Sequence, residues 1–514
     1  MDTKYNLVSG TKSRNFDAEF CGKVPLHQTN MIQPHGVLLV VDKKNFAIVQ
    51  VSENAEAVFN NSIQDIINSL FFDHITSEEK EIITERLVSI SEEKIPVSVT
   101  IHDQNYLAVI LQQPSYLIIE LEKIETSKEE NSFVSIYQDL KFIIQQIEKA
   151  DSIAEVSEIT SRELKRFSGF DKVMIYQFDK DWNGTVLAEA KEEGMESFNG
   201  LVFPASDIPK QAREMYKKNA FRLIPNIDYT PTKLYPVINS ITNAFTNLTD
   251  TNLRSVVAVH LEYLRNMKVV ASMSTRILKD GELWGLIACH HRTPKYLSYQ
   301  TCSVFELLSG IIGSKISALQ NKREFDAKAQ LHLTLNKIAE TLYKNETIVE
   351  GLFAQETELL ELLKADGFTL SINNEIRSFG EVPEKNHLEE LIYWLQNKNV
   401  NKIFHQPSIS SVFQNAKAYA QHVSGLVAIP IQPDKGNYLL AFRKEANQKI
   451  NWSGNPNEAL QFEANKKDYH PRSSFKIWQE TVQNTSFPWK QEELEIAETF
   501  RNVLIEYALN NPSS

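Results

Sequence analysis

The chain has 514 residues, 42% hydrophobic and 23% charged, enough for about three ordinary domains with real cores. A formal net charge of −12 argues against general binding to nucleic acid or to an anionic membrane surface, both of which call for a basic face. Three cysteines, Cys21, Cys289 and Cys302, make no disulfide framework, no apolar run reads as a bilayer span, and the N-terminus has no apolar signal core. The expectation is a cytoplasmic, reduced, multidomain protein with neither nucleic acid nor membrane as partner.

VLLVVDKKNFAIVQVS, residues 37 to 52, predicts two strands joined by the polar turn at DKKN. VSVTIHDQNYLAVILQQPSYLIIELEK continues with β-rich segments, helical sequence lying between. This α+β module closes near the polar run SKEENS, residues 127 to 132. FVSIYQDLKFIIQQIEKA and DSIAEVSEITSRELKRFSG then carry helical periodicity. Strands return at KVMIYQFD, TVLAEAK, VVASMSTRIL and ELWGLIACHH. Between them runs a segment rich in Asn, Thr and Pro, roughly 225 to 257, long enough to imply a function. From Val304, the residues Leu308, Ile312, Ile316 and Leu319, and later Leu331, Leu335, Ile338 and Leu342, recur every three or four positions. They predict one long helix linking two domains, buried in its own subunit or serving as a dimer seam. A third α+β module has strands at GFTLSIN, GLVAIPI and NYLLAFRK, and LEIAETFRNVLIEYAL predicts a closing amphipathic helix.

The chemistry gathers around FPASDIPKQAREMY, residues 203 to 216. Pro204 and Pro209 restrict the backbone around Asp207, and Asp207 or Ser206 could cap the helix that follows. Strand alternation puts Leu286, Ala288 and His290 on one face, and Ile287, Cys289 and His291 on the other. Met174, Tyr176 and Phe178 share a face, as do Ser272 and Ser274, and His260 and Tyr263 are neighbours on a helix. Arg222 and Arg254 flank the long segment and suit a ligand with two carboxylates. Taken singly, each residue has a plain structural reading: a satisfied core histidine, a core tyrosine, a small buried cysteine. His290 and His291 point opposite ways, which disfavours a metal pair.

FPASDIPKQAREMY, FRLIPNIDYTP, LRSVVAVHLEYLRNM and LWGLIACHH closely resemble the GAF domain of bacterial phytochromes. IQPHGVLLVVD resembles the start of their PAS domain, and NWSGNP and HPRSSFKIWQETV resemble the two arms of their PHY tongue. The resemblance implies a three-domain α+β PAS–GAF–PHY architecture of antiparallel sheets flanked by helices, with a long GAF–PHY helix and a tongue hairpin. It divides the chain into an extension (1–18), a PAS domain (19–128), a GAF domain (129–320) and a PHY domain (321–514) with its tongue at about 443–482. It also implies that the segment before Ile32 threads the long GAF segment as a figure-of-eight knot.

The function implied is a red/far-red photoreceptor carrying covalent biliverdin IXα and switching between Pr and Pfr by isomerisation at C15=C16. Cys21 stands where bacterial phytochromes attach biliverdin, whereas the GAF attachment position of plant and cyanobacterial relatives is Val259. By resemblance, the Asp207 carbonyl and His260 hold the pyrrole nitrogens. His290 bonds ring D among Tyr176, Phe203 and Tyr263, with Met174 and Ile208 in the same set. Tyr216, Arg222, Arg254, Ser272 and Ser274 hold the propionates. The Asp207 carboxylate faces the tongue, exchanging Arg472 for Ser474 after illumination, and Trp452 belongs to the same switch. Two departures stand out. Val257-Ala258 replaces Ser-Pro before the helix histidine, and Lys268 replaces a frequent Gly. The partners implied are a second copy in a parallel dimer and a histidine kinase or other effector, C-terminal or in trans, since no kinase motif is read before Ser514. The competing readings are a GAF-type small-molecule regulator without bilin, an enzyme using Cys289 with a histidine, and a fluorescent derivative, which would usually lack Asp207.

Overall fold

The computed structural model describes residues 30–89, 94–124, 133–456, 460–462 and 469–511. Cys21, the N-terminal extension, the segment expected to thread the knot and the SKEENS boundary lie outside these residues. The chain forms two compact units, residues 30–317 with 451–478, and residues 318–450 with 479–511.

In the first unit the elements run β1 (Met31–Ile32), β2 (Val37–Asp42), β3 (Ile48–Ser52), β4 (Ile95–Ile101), β5 (Gln104–Gln112) and β6 (Tyr116–Lys123). Next come α1 (Phe133–Lys149), α2 (Ile153–Ser168), β7 (Lys172–Phe178), β8 (Gly184–Lys191), β9 (Val202–Phe203) and α3 (Lys210–Lys218). The rest are β10 (Phe221–Ile224), β11 (Thr232–Tyr235), α4 (Ala258–Asn266), β12 (Ala271–Lys279) and β13 (Glu282–His291). The first sheet is ordered β1-β11-β3-β2-β6-β5-β4. Its strand β2 is apolar from Val37 to Val41 because both faces are covered. Val37, Leu39 and Val41 join one core, while Leu38 and Val40 meet Leu234, Leu248 and Leu253 of the long segment. That segment also holds β1 from two sides. Met31 and Ile32 pair with Lys233 and Thr232, and on the other edge Ser255 donates its N–H to Met31 O at 3.0 Å. The buried Glu120 of β6 secures this arrangement by accepting the N–H groups of Leu253 (2.7 Å) and Asn252 (3.1 Å).

The second sheet has β10-β12-β13-β7-β8-β9 as consecutive neighbours. α2 lies against β7 and β8. It begins at a Ser152 cap and ends at Gly169 in the left-handed region, so both ends are set by sequence. Gly285 is required where β13 crosses β7, because a Cβ there would stand 2.0 Å from Tyr176 O.

α5 (Tyr299–Lys344) starts five residues before the apolar stripe that predicts it. Val304, Leu308, Ile312 and Ile316 are buried, as are Leu331, Leu335, Ile338 and Leu342, so both stripes pack within the chain itself. The expectation that nothing reads as a bilayer span needs correction. By length and composition α5 qualifies, with a mean hydropathy of 1.4 over its most apolar window. Here that apolarity serves protein cores.

In the second unit β14 (Gly367–Ile372), β15 (Glu375–Gly380), β16 (Phe404–Gln406), β17 (Gly425–Gln432) and β18 (Asn437–Arg443) form a sheet ordered β15-β14-β18-β17-β16. Val427, Ile429 and Ile431 face one core, and Leu426 and Ala428 the other. The expected tongue follows as β19 (Gln448–Ser453), β20 (Leu460–Phe462), β21 (Tyr469–Pro471) and β22 (Ile477–Val482), its residues 451–478 belonging to the first unit, before α6 (Gln491–Asn510) in the second. β20 and β21 pair antiparallel, Leu460 opposite Pro471. The buried Arg443, closing β18, is bonded by every nitrogen. Nε donates to Lys364 O (3.0 Å), Nη1 to Phe487 O (3.2 Å) and Pro488 O (3.0 Å), and Nη2 to Leu363 O and Glu493 Oε2 (both 2.8 Å).

Candidate functional site

Pro204 and Pro209 bracket a short 3-10 turn, Ala205–Asp207, in which Asp207 N donates to Pro204 O at 3.0 Å. The expectation of a Ser206 or Asp207 helix cap is corrected: α3 begins from Pro209 with no side-chain cap bond. The Ser206 hydroxyl is buried without a partner among the described residues. The Asp207 carboxylate is used elsewhere. Its Oδ2 accepts from Tyr263 Oη at 2.9 Å and from Arg472 Nη2. Only 4% of the Arg472 side chain and 5% of the Asp207 side chain are exposed. Burial pushes the Asp207 carboxyl up, against the pull of Arg472 and Tyr263. Burial works to lower the Arg472 pKa, but Asp207 beside it more than offsets this and keeps the guanidinium charged. The cation also lies over the rings of Phe475 (4.5 Å) and Phe203 (5.3 Å).

Beside this pair lies a cavity of about 200 Å3. Asp207, Ile208, Tyr216, Arg222, Arg254, His260 and Tyr263 all line it. Met174, Tyr176, Phe203, Ser272, Ser274 and His290, also expected at the site, are not among the residues that line it. Met174, Tyr176 and Phe203 form an apolar cluster with Phe475, against which Ile208, Tyr216 and Tyr263 pack. Ser274 Oγ lies 2.5 Å from Tyr216 Oη, and Ser272 is the cross-strand partner of His290. Trp452 is buried opposite Val202 in a parallel pairing, and Ser474 is exposed. Sequence reading missed Val256, which with Val257 and Val259 lines the cavity with aliphatic side chains, and Pro471 of the tongue. It also missed Ala212 and Met215, although they fall four and seven residues after Ile208 on the side of α3 that carries Tyr216.

The Arg222 guanidinium is placed by backbone. Arg222 Nη1 donates to Asn252 O at 3.0 Å and Nη2 to Arg254 O, so the tie from Glu120 to Asn252 and Leu253 also positions Arg222. Burial first, then Arg222, brings the Arg254 pKa down to about 9. Cations enclosed in this way favour an anionic ligand, which would relieve both effects. The imidazoles are neutral at pH 7. Burial, with Arg222 adding to it, takes the His260 pKa down to about 4. Burial, with Lys172 and His260 adding to it, takes His290 to about 3. His290 Nδ1 is buried without a partner among the described residues. The cavity therefore offers cations for carboxylates, the neutral imidazole of His260 for polar N–H or C=O groups, and apolar walls. Cys289 is fully buried, in register with Val173 and Met273 on the sheet face away from His290, and its thiol is pushed up by burial. No Cys–His nucleophile pair forms there.

Both departures near α4 have structural readings. Val257 is the residue that begins α4, so its first turn has no side-chain cap. Val257→Ser is expected to raise stability by about 1 kcal/mol, read as a higher urea midpoint at unchanged slope. Lys268 has φ +58°, with Val269 N donating to Leu264 O and Lys268 N to Arg265 O. The tight turn that glycine would favour is thus made by a lysine in the left-handed region, at a cost of about 1 kcal/mol.

Family models match along the chain, with "PAS fold" at residues 21–124, "GAF domain" at 152–316 and "Phytochrome region" at 331–513. Cyanobacterial phytochrome B of Nostoc sp. is 34% identical over 508 residues, covering 96% of this chain and 66% of its own length. The bacteriophytochrome of Xanthomonas campestris is 30% identical over 513 residues, covering 96% of this chain and 79% of its own. The chain therefore spans about two thirds of the cyanobacterial relative. Among solved structures, the wild-type Stigmatella aurantiaca phytochrome photosensory core module superposes with a TM-score of 0.81 at 33% identity, covering 95% of this chain and 98% of that one. The bacteriophytochrome RpBphP3 from R. palustris gives 0.84 at 30% identity, covering 95% and 99%. With three ordered domains and relatives matched along nearly its whole length, the chain belongs to the phytochrome family as a PAS–GAF–PHY photosensory region.

Proposed function

We propose that this chain is a red/far-red light sensor, not an enzyme, that carries biliverdin IXα bound through Cys21. The observation that carries the reading is the cavity itself, lined by the Arg222 and Arg254 guanidiniums and by neutral His260, with the Asp207–Arg472 pair beside it. The residues fit a linear tetrapyrrole with two propionates. Arg222 and Arg254 would take the carboxylates, with Tyr216, Ser272 and Ser274 supporting them. His260 and the Asp207 carbonyl would accept from pyrrole N–H groups. The unpartnered His290 would meet ring D, held by Tyr176, Phe203, Tyr263, Met174 and Ile208. When bound, the bilin supplies a Z/E isomerisation at C15=C16, which interconverts Pr and Pfr. The protein's part is to transmit the change. Asp207 would release Arg472 and take Ser474 as the tongue, with Trp452, leaves its hairpin, and the long helices would carry this to an output module.

Attachment at Cys21 is favoured because Cys289 and Cys302 are buried, neither lines the cavity, and the GAF position is Val259. The thiol sulfur would bond a ring-A vinyl carbon and its proton pass to the tetrapyrrole, leaving a thioether that thiol reductants do not cleave. A cytoplasmic setting, a parallel homodimer and a kinase or other effector as the output complete the proposal.

The test is an absorption spectrum after biliverdin addition, before and after red light. A red-absorbing adduct that converts to a far-red-shifted product is expected, as is zinc-dependent fluorescence of the denatured band, lost in Cys21→Ser. Protein that stays colourless would favour a bilin-free GAF regulator. A fluorescent band surviving in Cys21→Ser would place attachment elsewhere.

A further inference from the structure

Asp207 was the expected anchor of Arg472, through its side chain. A second anchor holds the same residue by its main chain: Asn266 Nδ2, in the last turn of α4, donates to Arg472 O at 3.2 Å. This contact differs in kind from the ion pair. A salt bridge to a long side chain survives many backbone conformations, whereas a bond to a carbonyl depends on that carbonyl being available. In an α-helix the carbonyl of residue 472 would be taken by the N–H of residue 476. Here it is not. Lys476 N faces Ser474 Oγ at 3.5 Å, and Lys476 O accepts from Gly454 N at 2.9 Å, across to the other arm of the tongue. Gly454 allows that approach. Its φ is +86°, and a Cβ there would lie 2.4 Å from Ser474 O and 2.7 Å from Arg472 Nη1.

α4 therefore has two duties along one stripe. His260 and Tyr263 line the cavity; Tyr263 also bonds Asp207 and sets its ring edge-on to Phe475 at 5.3 Å; Asn266, three residues further, reaches the tongue main chain. We infer that Asn266 is a positioning residue that selects the extended tongue, because its amide bonds Arg472 O in the direction in which the extended arm presents it, a direction lost when that carbonyl turns along a helix axis towards the N–H of residue 476. A tongue that turns helical around Arg472 withdraws the carbonyl and breaks this latch; a tongue returning to the hairpin regains it. The inference deepens the proposed switch and rests on that reading for its role after illumination, but the latch itself can be tested without a bilin.

Hydrogen–deuterium exchange of the unloaded full chain compares Asn266→Ala, Asn266→Asp and Asn266→Gln with the parent, and uses Arg265→Ala as a control. Arg265 is the exposed neighbour that pairs with Asp228 instead. Aspartate has the shape of asparagine without the N–H donor; glutamine keeps the donor. Exchange across residues 451–478 is expected to rise roughly 2- to 10-fold in the alanine and aspartate variants, the range for losing one net hydrogen bond. Residues 258–266 should stay unchanged, Arg265→Ala should match the parent, and Asn266→Gln should recover part of the protection. In the biliverdin-loaded protein, thermal return of the photoproduct should slow in the alanine and aspartate variants, because the hairpin to which it returns has lost a contact. Tongue exchange unchanged in Asn266→Ala would overturn the latch, and so would aspartate behaving like the parent, or exchange rising equally throughout α4. If the parent gives no photoproduct, the light-sensing reading fails while the exchange data still decide the latch.

Discussion

Replacing Asp207 with alanine is expected to loosen the tongue without unfolding the GAF core. The substitution leaves the Arg472 guanidinium enclosed with no carboxylate and deprives the Tyr263 hydroxyl of its acceptor. Stranding a buried charge in this way costs about 3–5 kcal/mol if the structure stays put. It need not stay put. Arg472 sits on a hairpin arm that can lift away and rehydrate the guanidinium, so the penalty is limited by the free energy of tongue docking. The expected signature is fast amide exchange over residues 469–478 with little change in the main unfolding transition. In the biliverdin-loaded protein, formation of the far-red product should be blocked or slowed and fluorescence raised. Wild-type protection of the tongue in Asp207→Ala would show that Phe203, Phe475 and Asn266 hold it unaided.

Arg443→Ala is expected to act the other way, through global stability. Every nitrogen of Arg443 donates to a partner, the guanidinium stacks 4.2 Å from the Trp489 ring, and Glu493, only 2% exposed, loses its closest cation. No loose arm can lift away here, since the contacts join β18, Leu363 and Lys364, the loop at Phe487 and Pro488, and the first turn of α6. A loss of about 3–5 kcal/mol is expected, seen as a lower denaturation midpoint for the unit holding residues 318–450. Arg443→Lys should recover little of it, because an ammonium cannot reproduce the planar fork. A midpoint shift below about 1 kcal/mol would mean that solvent reaches Glu493 more easily than its burial indicates.

Much of the fold was legible because its signals are local. Ser152 and Gly169 bound α2, the apolar run of β2 announces burial on both faces, and the stripes at Val304 and Leu331 mark α5. The expectation that no run is long and apolar enough for a bilayer needed amending for the same reason. Composition along one helix does not say whether protein or lipid covers it, and only packing does. The order of motifs around Asp207, His260 and His290 was legible too, since each carries its own residues. What sequence did not reveal were the ties to main-chain groups across distance. The Glu120 tie to Asn252 and Leu253, the Arg443 clasp and the Asn266 bond to Arg472 each join residues far apart in the chain through main-chain groups, which carry no side-chain signature.

Sequence by itself determined the elements, their order and the chemical types gathered near the cavity, because propensity, capping and apolar periodicity act over a few residues. Tertiary structure alone decided that neither Ser206 nor Asp207 caps the helix that follows, which leaves the Asp207 carboxylate to Tyr263 and to Arg472, the tongue partner that the family resemblance implied. It also decided that a lysine holds the turn at residue 268 and that the cavity wall before His260 is aliphatic. Those outcomes depend on which buried donor lacks an acceptor once the chain has closed on itself, and burial is a property of the closed chain.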